Sequence, residues 1–158
     1  MIGMIAFTKI SLPYGWLGNM APYPITDETG RIWRTTEHLF QALRFSDEDV
    51  RNAIGRTVSA MSAKMLARAN ASRMTVVPQS EADIDNMRYC LRLKVEQYPE
   101  LRQQLLATGD ELIVEDVTNR QRGSALYWGG VPTVDGSFRG INRLGALWME
   151  LRAVLRNG

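Results

Sequence analysis

The fold of this chain is decided by residues 35–45, which read TTEHLFQALRF and predict a helix from Glu37 to Phe45. Either of the two threonines that open the stretch can cap this helix, because a hydroxyl oxygen accepts a backbone N–H there. Glu37, Gln41 and Arg44 recur at steps of four and three residues and therefore share one helix face. The predicted helix thus carries a polar stripe beside its apolar residues.

Two interpretations of this polar stripe remain open at the level of sequence. In the first, Glu37 complements the positive end of the helix dipole, and Gln41 and Arg44 lie in solvent, as polar helix faces usually do. In the second, the stripe lines a pocket, where a carboxylate at the helix start meets a positive charge that develops during a reaction.

Further helices are predicted towards the C-terminus, each with its own start signal. Ser46 with Asp49 and Ser80 with Asp83 resemble capping boxes, and Ser59 opens a third segment. The predicted segments are a short helix after Ser46, Ser59 to Ala69, a long helix after Ser80, Glu100 to Ala107, and Arg143 to Leu155. In the long helix, helical spacing predicts a buried stripe at Ile84, Met87, Leu91, Val95 and Tyr98.

Extended segments flank these helices and predict a small sheet. The four predicted strands are Ile2 to Thr8, Tyr23 to Thr26, Arg31 to Arg34, and Glu111 to Val117. The second and third are joined by a turn signal that ends at Gly30. No repeat or Pro/Gly/Ser-rich linker interrupts the chain, so we expect a mostly α-helical α+β fold in one domain, residues 1–158.

The composition is typical of a globular protein that stays in the cytoplasm. Hydrophobic residues make up 45% and charged residues 23% of the 158 positions. No apolar run approaches the roughly 18 residues that span a bilayer. The apolar N-terminus lacks the basic leader and the cleavage site of a signal peptide, so we expect neither membrane association nor export.

Two single-copy residues restrict the chemistry of the chain. Cys90 is the only cysteine, which excludes an internal disulfide and a cysteine-based zinc site, and its apolar helical position predicts a buried thiol. His38 is the only histidine, which excludes a histidine cluster. We therefore expect no metal site.

The basic residues are mostly arginine: sixteen Arg accompany three Lys, at a net charge of +2. The guanidinium fork suits phosphate recognition, although genomic base composition also enriches arginine. A net charge this small does not indicate tight, sequence-independent binding of nucleic acid.

Two other segments carry candidate binding residues. Trp128-Gly129 is followed by a glycine-bearing loop that ends at Asn142-Arg143, where a helix begins. Such a loop resembles a phosphate cradle, but glycine-rich hairpin tips have the same composition. Near the N-terminus, Asn19 offers a donor and an acceptor that suit sugar hydroxyls, although Gly-Asn also forms ordinary turns.

Together and in this order, these segments resemble the YbiA-like family, also called the NADAR superfamily. The matching motifs are Leu17-Gly18-Asn19 with Pro24-Ile25, the run from Trp33 to Ala42, Lys94-Val95-Glu96-Gln97, Leu105-Leu106-Ala107-Thr108, and Trp128-Gly129 through Gly140 and Asn142 to Arg152. The resemblance covers nearly the whole chain.

The resemblance implies an N-glycosidase that hydrolyses the bond at the ribose anomeric carbon of a phosphorylated ribosyl compound. The implied substrate is either an early phosphoribosylaminopyrimidine intermediate of riboflavin synthesis or ADP-ribose on guanine in nucleic acid. Neither a metal nor an organic cofactor is implied.

The matched positions imply roles for individual residues. Glu37 would stabilise the oxocarbenium ion that forms when the amine departs. Trp128 would stack on the base or close the pocket, and Arg34 or Arg143 would bind phosphate. The remaining residues implied to bind substrate are Asn19, His38, Gln41, Gly129 and Asn142.

The chain departs from the family pattern at two positions. Arg44 stands where relatives have a lysine that is thought to attack the sugar by Schiff-base chemistry, and a guanidinium cannot do so. Ala125, after an apparent insertion at residues 120–124, stands where many relatives have an aspartate. Lys94, Asp116 or Asp135 could substitute; otherwise the chain would be a catalytically impaired module that binds ADP-ribose or another nucleotide.

Overall fold

The computed structural model describes residues 3–158, in which the chain forms two compact units. The first unit combines the described part of Met1–Gly18 with Pro99–Gly158, and the second is Asn19–Tyr98. Mostly helical α+β architecture is confirmed. The extent of the predicted domain, residues 1–158, stays a prediction.

Helices make up most of the regular structure of the described residues. In chain order they are α1 Thr36–Ala42, α2 Glu48–Arg56, α3 Ala60–Ala69, α4 Glu81–Gln97, α5 Pro99–Ala107, α6 Ala125–Trp128 and α7 Arg143–Asn157. Short 3-10 turns cover Gly15–Leu17 and Ala71–Arg73. None of these helices, within residues 3–158, combines the length and apolar character needed to cross a bilayer. A cytoplasmic location stays a prediction.

The strands found within residues 3–158 form three separate pairs, so the four predicted strands do not lie in one sheet. Their bounds are β1 Met4–Phe7, β2 Ile25–Thr26, β3 Ile32–Trp33, β4 Leu112–Glu115, β5 Val131–Pro132 and β6 Phe138–Arg139. β1 pairs with β4 in parallel, whereas β2–β3 and β5–β6 are antiparallel hairpins. Ile2, predicted to begin the first strand, lies outside the described residues. The last hairpin occupies the segment predicted as a glycine-bearing loop, and α6 comes directly before it.

Most predicted helix starts are confirmed by their caps. The hydroxyls of Thr35, Ser59 and Ser80 accept backbone N–H groups at the starts of α1, α3 and α4. At α2 the prediction of Ser46 is wrong, because the Asp47 carboxylate accepts from the N–H groups of the second and third helical residues. A carboxylate at this position also complements the helix dipole.

Helix α1 ends three residues earlier than predicted. The N–H of Arg44 bonds to the Gln41 carbonyl at 3.2 Å, and Phe45 N–H to Ala42 at 3.1 Å, so the last turn tightens to three-residue steps. The Arg44 carbonyl instead accepts from the N–H groups of Thr75 and Val76. The end of α1 is thereby tied to the segment that leads into α4.

Each unit has its own packing core. In the second unit, α1 contacts α2, α3 and α4, so it is the central helix there. In the first unit, α7 packs directly on β4. This approach depends on Gly145, because a Cβ at that position would overlap the Ile113 carbonyl oxygen.

Candidate active site

The polar stripe of α1 is buried in the second unit. Glu37, Gln41 and Arg44 are only 8%, 5% and 9% exposed. The interpretation of this stripe as a solvated helix face is therefore wrong. A buried charged stripe requires partners inside the protein, because removing ions from water is costly.

These partners form a chain of hydrogen bonds along α1. Gln41 Nε2 donates to Glu37 Oε1 at 2.8 Å, and Arg44 Nη1 lies 3.4 Å from Gln41 Oε1. The Arg44 guanidinium also binds Asp83 of α4 with two parallel bonds, Nε to Oδ1 at 2.9 Å and Nη2 to Oδ2 at 2.8 Å. Arg44 is thus neutralised within the fold.

The face of α4 that contains Asp83 also contains Lys94. Asp83, Met87, Cys90 and Lys94 follow one another at steps of four, three and four residues, and all four are buried. Burial lowers the pKa of Lys94 to about 7. Its Nζ lies 5.2 Å from the centroid of the Tyr23 ring. Burial therefore brings the neutral form of the Lys94 amine within reach near neutral pH.

Cys90 lies between these two charged residues on α4, and the prediction of a buried thiol is confirmed. Its pKa is raised, first by burial and then by the negative charges of Glu37 and Asp83. The negative charge of Glu37 on α1 is therefore felt at Cys90, in the middle of this α4 face. Cys90 lies one helical turn from Lys94.

Asn19 contacts both helices of this cluster. Its backbone carbonyl accepts from Glu37 N–H at 3.0 Å and from the Thr36 hydroxyl at 2.9 Å, which satisfies N-terminal donors of α1. Its side-chain Nδ2 donates to Met87 Sδ at 3.2 Å. Asn19 therefore fixes the start of α1 beside α4, and its contact with a sugar stays a prediction.

His38 and Arg34 differ from the rest of the predicted site. His38 is fully buried, with Nδ1 2.8 Å from the Thr35 hydroxyl and Nε2 3.1 Å from the Thr57 carbonyl. Because that carbonyl can only accept, Nε2 donates and Nδ1 accepts, and burial lowers the pKa of the ring. This geometry favours a structural role for His38. Arg34 is exposed, and its phosphate contact stays a prediction.

Asn142 and Arg143 lie in the first unit at the start of α7. Asn142 Nδ2 donates to the Ile113 carbonyl at 2.8 Å, and its Oδ1 accepts from Glu115 N–H at 3.1 Å. Its amide therefore pairs with the edge of β4 as another strand would. Arg143 is half-buried, with its guanidinium carbon 5.6 Å from the Tyr127 ring centroid. Ligand contacts of both residues stay predictions.

Trp128 and Gly129 end helix α6 in the same unit. The Trp128 indole is half-buried and meets the Tyr127 ring edge-on, with ring centroids 5.0 Å apart. Gly129 is buried, and a Cβ there would lie only 2.6 Å from the Glu115 carbonyl oxygen. Its missing side chain thus allows close packing on the chain itself, and its contact with substrate stays a prediction.

The two aspartates considered as substitutes also lie in the first unit, within local turns. The Asp116 carboxylate accepts from the N–H of Thr118 at 2.9 Å. Asp135 accepts from the hydroxyl of Thr133, and this bond is the main cause that lowers its pKa. Each carboxylate therefore stabilises its own turn. Within residues 3–158, no group of three His, Cys, Asp or Glu side chains is arranged to hold a metal ion.

Comparison with known proteins connects this geometry to a family. The model of the NADAR domain matches residues 6–156. The chain belongs to the NADAR family. N-glycosidase YbiA of Escherichia coli is 40% identical over 152 residues, which cover 96% of this chain and 88% of that protein. The NMR structure of the E. coli protein YbiA matches with a TM-score of 0.82 at 39% identity, over 99% of this chain and 88% of that chain.

A longer protein is also similar to nearly the whole of this chain. The chloroplastic riboflavin biosynthesis protein PYRR of Zea mays is 30% identical over 163 residues, which cover 95% of this chain and 25% of that protein. At the level of reaction class, the prediction of an N-glycosidase is confirmed.

Asp83 is the member of the cluster that sequence reasoning missed, because it was interpreted only as part of a helix cap. Its Ser80 partner does cap α4, but the Asp83 carboxylate binds Arg44 instead. A signal was present in the sequence: Asp83 and Lys94 fall on the same helical stripe as Met87 and Cys90. Charged residues on an otherwise apolar stripe indicate buried partners.

Proposed function

We propose that this NADAR N-glycosidase hydrolyses the bond between the ribose anomeric carbon and an amine nitrogen in a phosphorylated ribosylaminopyrimidine. Such compounds arise early in riboflavin synthesis. The observation that carries the proposal is the buried Glu37 carboxylate, held by Gln41 on α1 next to the α4 face that bears Lys94. The name of the relative from Zea mays supports this class of substrate.

Glu37 is the proposed catalytic carboxylate. When the amine leaves, positive charge develops on the anomeric carbon and the ring oxygen, and a fixed carboxylate stabilises that charge. Water then adds to the anomeric carbon, and its proton balances the departing amine. Burial strengthens this effect because the surrounding protein screens the charge less than water does.

Lys94 is the proposed second catalytic group. A neutral amine can act as a base towards water or as a nucleophile towards the anomeric carbon, whereas the Arg44 guanidinium can do neither. Because the pKa of Lys94 is about 7, we expect turnover to rise as the pH increases through about 7. Lys94 thus substitutes for the lysine that relatives have in place of Arg44.

The remaining roles are proposals of the same kind. Trp128 would stack on the pyrimidine base, and Arg34 or Arg143 would bind the phosphate. A small phosphorylated ligand also fits the net charge of +2, which gives little general attraction to a nucleic acid. We also propose that the protein acts in the cytoplasm.

A substrate panel tests the proposal. Purified protein is incubated separately with phosphoribosylaminopyrimidine intermediates, with DNA carrying ADP-ribose on guanine, and with ADP-ribose itself. Mass spectrometry follows the release of ribose phosphate or ADP-ribose. We expect release from the pyrimidine intermediates; release from the modified DNA alone would overturn the proposed substrate. Absence of release from every substrate, with ADP-ribose bound in calorimetry, would indicate a nucleotide-binding module instead.

A further inference from the structure

We infer that Gln41 and Arg44 are positioning residues for Glu37, and that Asp83 is their anchor. The inference deepens the proposed function and rests on it for the catalytic role of Glu37. The four side chains connect α4 to the carboxylate in the order Asp83, Arg44, Gln41, Glu37, and all are buried.

Asp83 is a rigid anchor because its carboxylate is buried and accepts three hydrogen bonds inside the protein. It accepts two bonds from Arg44 and a third from the backbone N–H of Gln79 at 2.8 Å. Gln79 adopts a positive φ of 67°, which a non-glycine residue rarely does. In this backbone conformation before α4, the Gln79 N–H points at the Asp83 carboxylate.

Arg44 is held in place by Asp83 of α4 and by the Phe40 ring of α1. Its Nε and Nη2 bind Asp83, and its guanidinium carbon lies 4.6 Å from the centroid of the Phe40 ring. These contacts leave Nη1 directed at Gln41 Oε1. A guanidinium can bind a carboxylate with two of its nitrogens and still donate from the third to another acceptor. A lysine ammonium cannot make these contacts with the same geometry.

The orientation of the Gln41 amide follows from Arg44. An isolated glutamine amide can turn by half a rotation and present either its oxygen or its nitrogen. Arg44 has only donors, so it selects the orientation in which Oε1 faces Arg44 and Nε2 faces Glu37. The Gln41 amide consequently donates to the Glu37 carboxylate and never opposes it with an oxygen. Arg44 therefore acts on Glu37 without touching the substrate.

Kinetics of a Gln41 variant distinguish a positioning role of Gln41 from a role in substrate binding. A residue that binds the ground state raises KM when it is removed, whereas a residue that orients the catalytic carboxylate lowers kcat. We expect Gln41→Met, which keeps the length of the side chain without its polar atoms, to lower kcat by about tenfold or more with KM changed by less than about threefold. A raised KM with unchanged kcat would overturn the inference.

Arg44→Lys tests the next link, with Arg152→Lys as the matched control. Arg152 is also a buried arginine, but it donates to the Thr108 hydroxyl and the Glu111 carbonyl in the first unit. We expect Arg44→Lys to lower kcat by about tenfold and Arg152→Lys to leave kcat unchanged below its melting temperature. Unchanged or increased kcat in Arg44→Lys would overturn the inference.

A measurement that needs no substrate distinguishes failure of the positioning inference from failure of the proposed function. The side-chain amide of Gln41 is followed by NMR, with its resonances assigned from their loss in Gln41→Met. We expect Arg44→Lys to move these resonances and to speed their hydrogen exchange, and Arg152→Lys to do neither. If Arg44→Lys left both unchanged, the inference would fail even if the protein were an active glycosidase. If the wild type hydrolysed none of the panel, the proposed function would fail while this measurement still decided the positioning.

Discussion

The amine of Lys94 is buried, where its ammonium form loses its hydration. Burial lowers its pKa to about 7 from 10.5 in water. Between these two pH values the unfolded chain holds a proton that the folded chain lacks. The contribution of Lys94 to the free energy of unfolding therefore increases with pH between these two values. The cost of burying Lys94 is largest below pH 7, where the buried amine is charged.

Replacement of Lys94 by methionine removes this dependence at nearly constant side-chain length. We expect Lys94→Met to be more stable than wild type at pH 6, and its advantage to shrink by about 1 kcal/mol per pH unit between pH 7 and pH 9. Urea unfolding followed by circular dichroism at several pH values measures this difference.

Lys64 provides the control for this prediction. It lies half-buried on α3, so Lys64→Met should show no such slope against wild type. A difference between Lys94→Met and wild type that stays constant from pH 6 to pH 9 would contradict the low pKa of Lys94.

At the scale of elements, the pair of Arg44 and Asp83 joins the turn that ends α1 to α4. Removing one partner of a buried ion pair leaves the other charge without compensation, which costs about 3–5 kcal/mol. We therefore expect Asp83→Asn to lower the free energy of unfolding by this amount. Chemical denaturation of the variant and the wild type measures the loss.

Asp85 is the matched control on the same helix, because it also pairs with an arginine, Arg88, but in solvent. Exposed pairs of this kind contribute at most about 1 kcal/mol, so Asp85→Asn should change stability little. Equal losses in Asp83→Asn and Asp85→Asn would show that the buried pair does not hold the two helices together.

The contact between α7 and β4 depends on a glycine in the interior of a helix. Alanine favours helix over glycine by about 1 kcal/mol, but at position 145 its Cβ would overlap the Ile113 carbonyl. We expect Gly145→Ala to destabilise the protein by about 2 kcal/mol or more. Differential scanning calorimetry of Gly145→Ala and wild type shows whether the melting temperature falls as expected.

Gly55 of α2 is the control for this steric effect. A Cβ at Gly55 would meet the end of the flexible Arg31 side chain, which can move, and would lie 3.2 Å from a ring carbon of Trp33. Gly55→Ala should therefore stay within about 1 kcal/mol of wild type. A stable Gly145→Ala variant would show that α7 can shift away from β4.

The elements also show which features the sequence could predict. The caps at Ser59 and Ser80 were predicted correctly, because a cap is a local contact between residues three positions apart. The pairing of strands was predicted wrongly, because Met4 pairs with Leu112, far along the chain, and local patterns do not specify such partners. Very short strands such as β5 carry too few residues to show an alternating pattern.

At the scale of the whole molecule, the chain builds its first unit from both ends and its second from the middle. The order of motifs was sufficient to predict the family, since the NADAR match extends over residues 6–156. Motif membership could not predict how each side chain is used. Asn142 and His38 match the motifs, yet their polar atoms bond inside their own units. Such partners depend on tertiary contacts that one sequence does not reveal.

Glu37 is the proposed catalytic carboxylate, and the hydrolysis rate of Glu37→Gln on the substrate that the wild type cleaves tests this role. The variant keeps the shape of the side chain and removes its charge. We expect a loss in kcat of about 100-fold or more, with a melting temperature within a few degrees of wild type. Activity within about tenfold of wild type, or a parallel fall of activity and melting temperature, would contradict it.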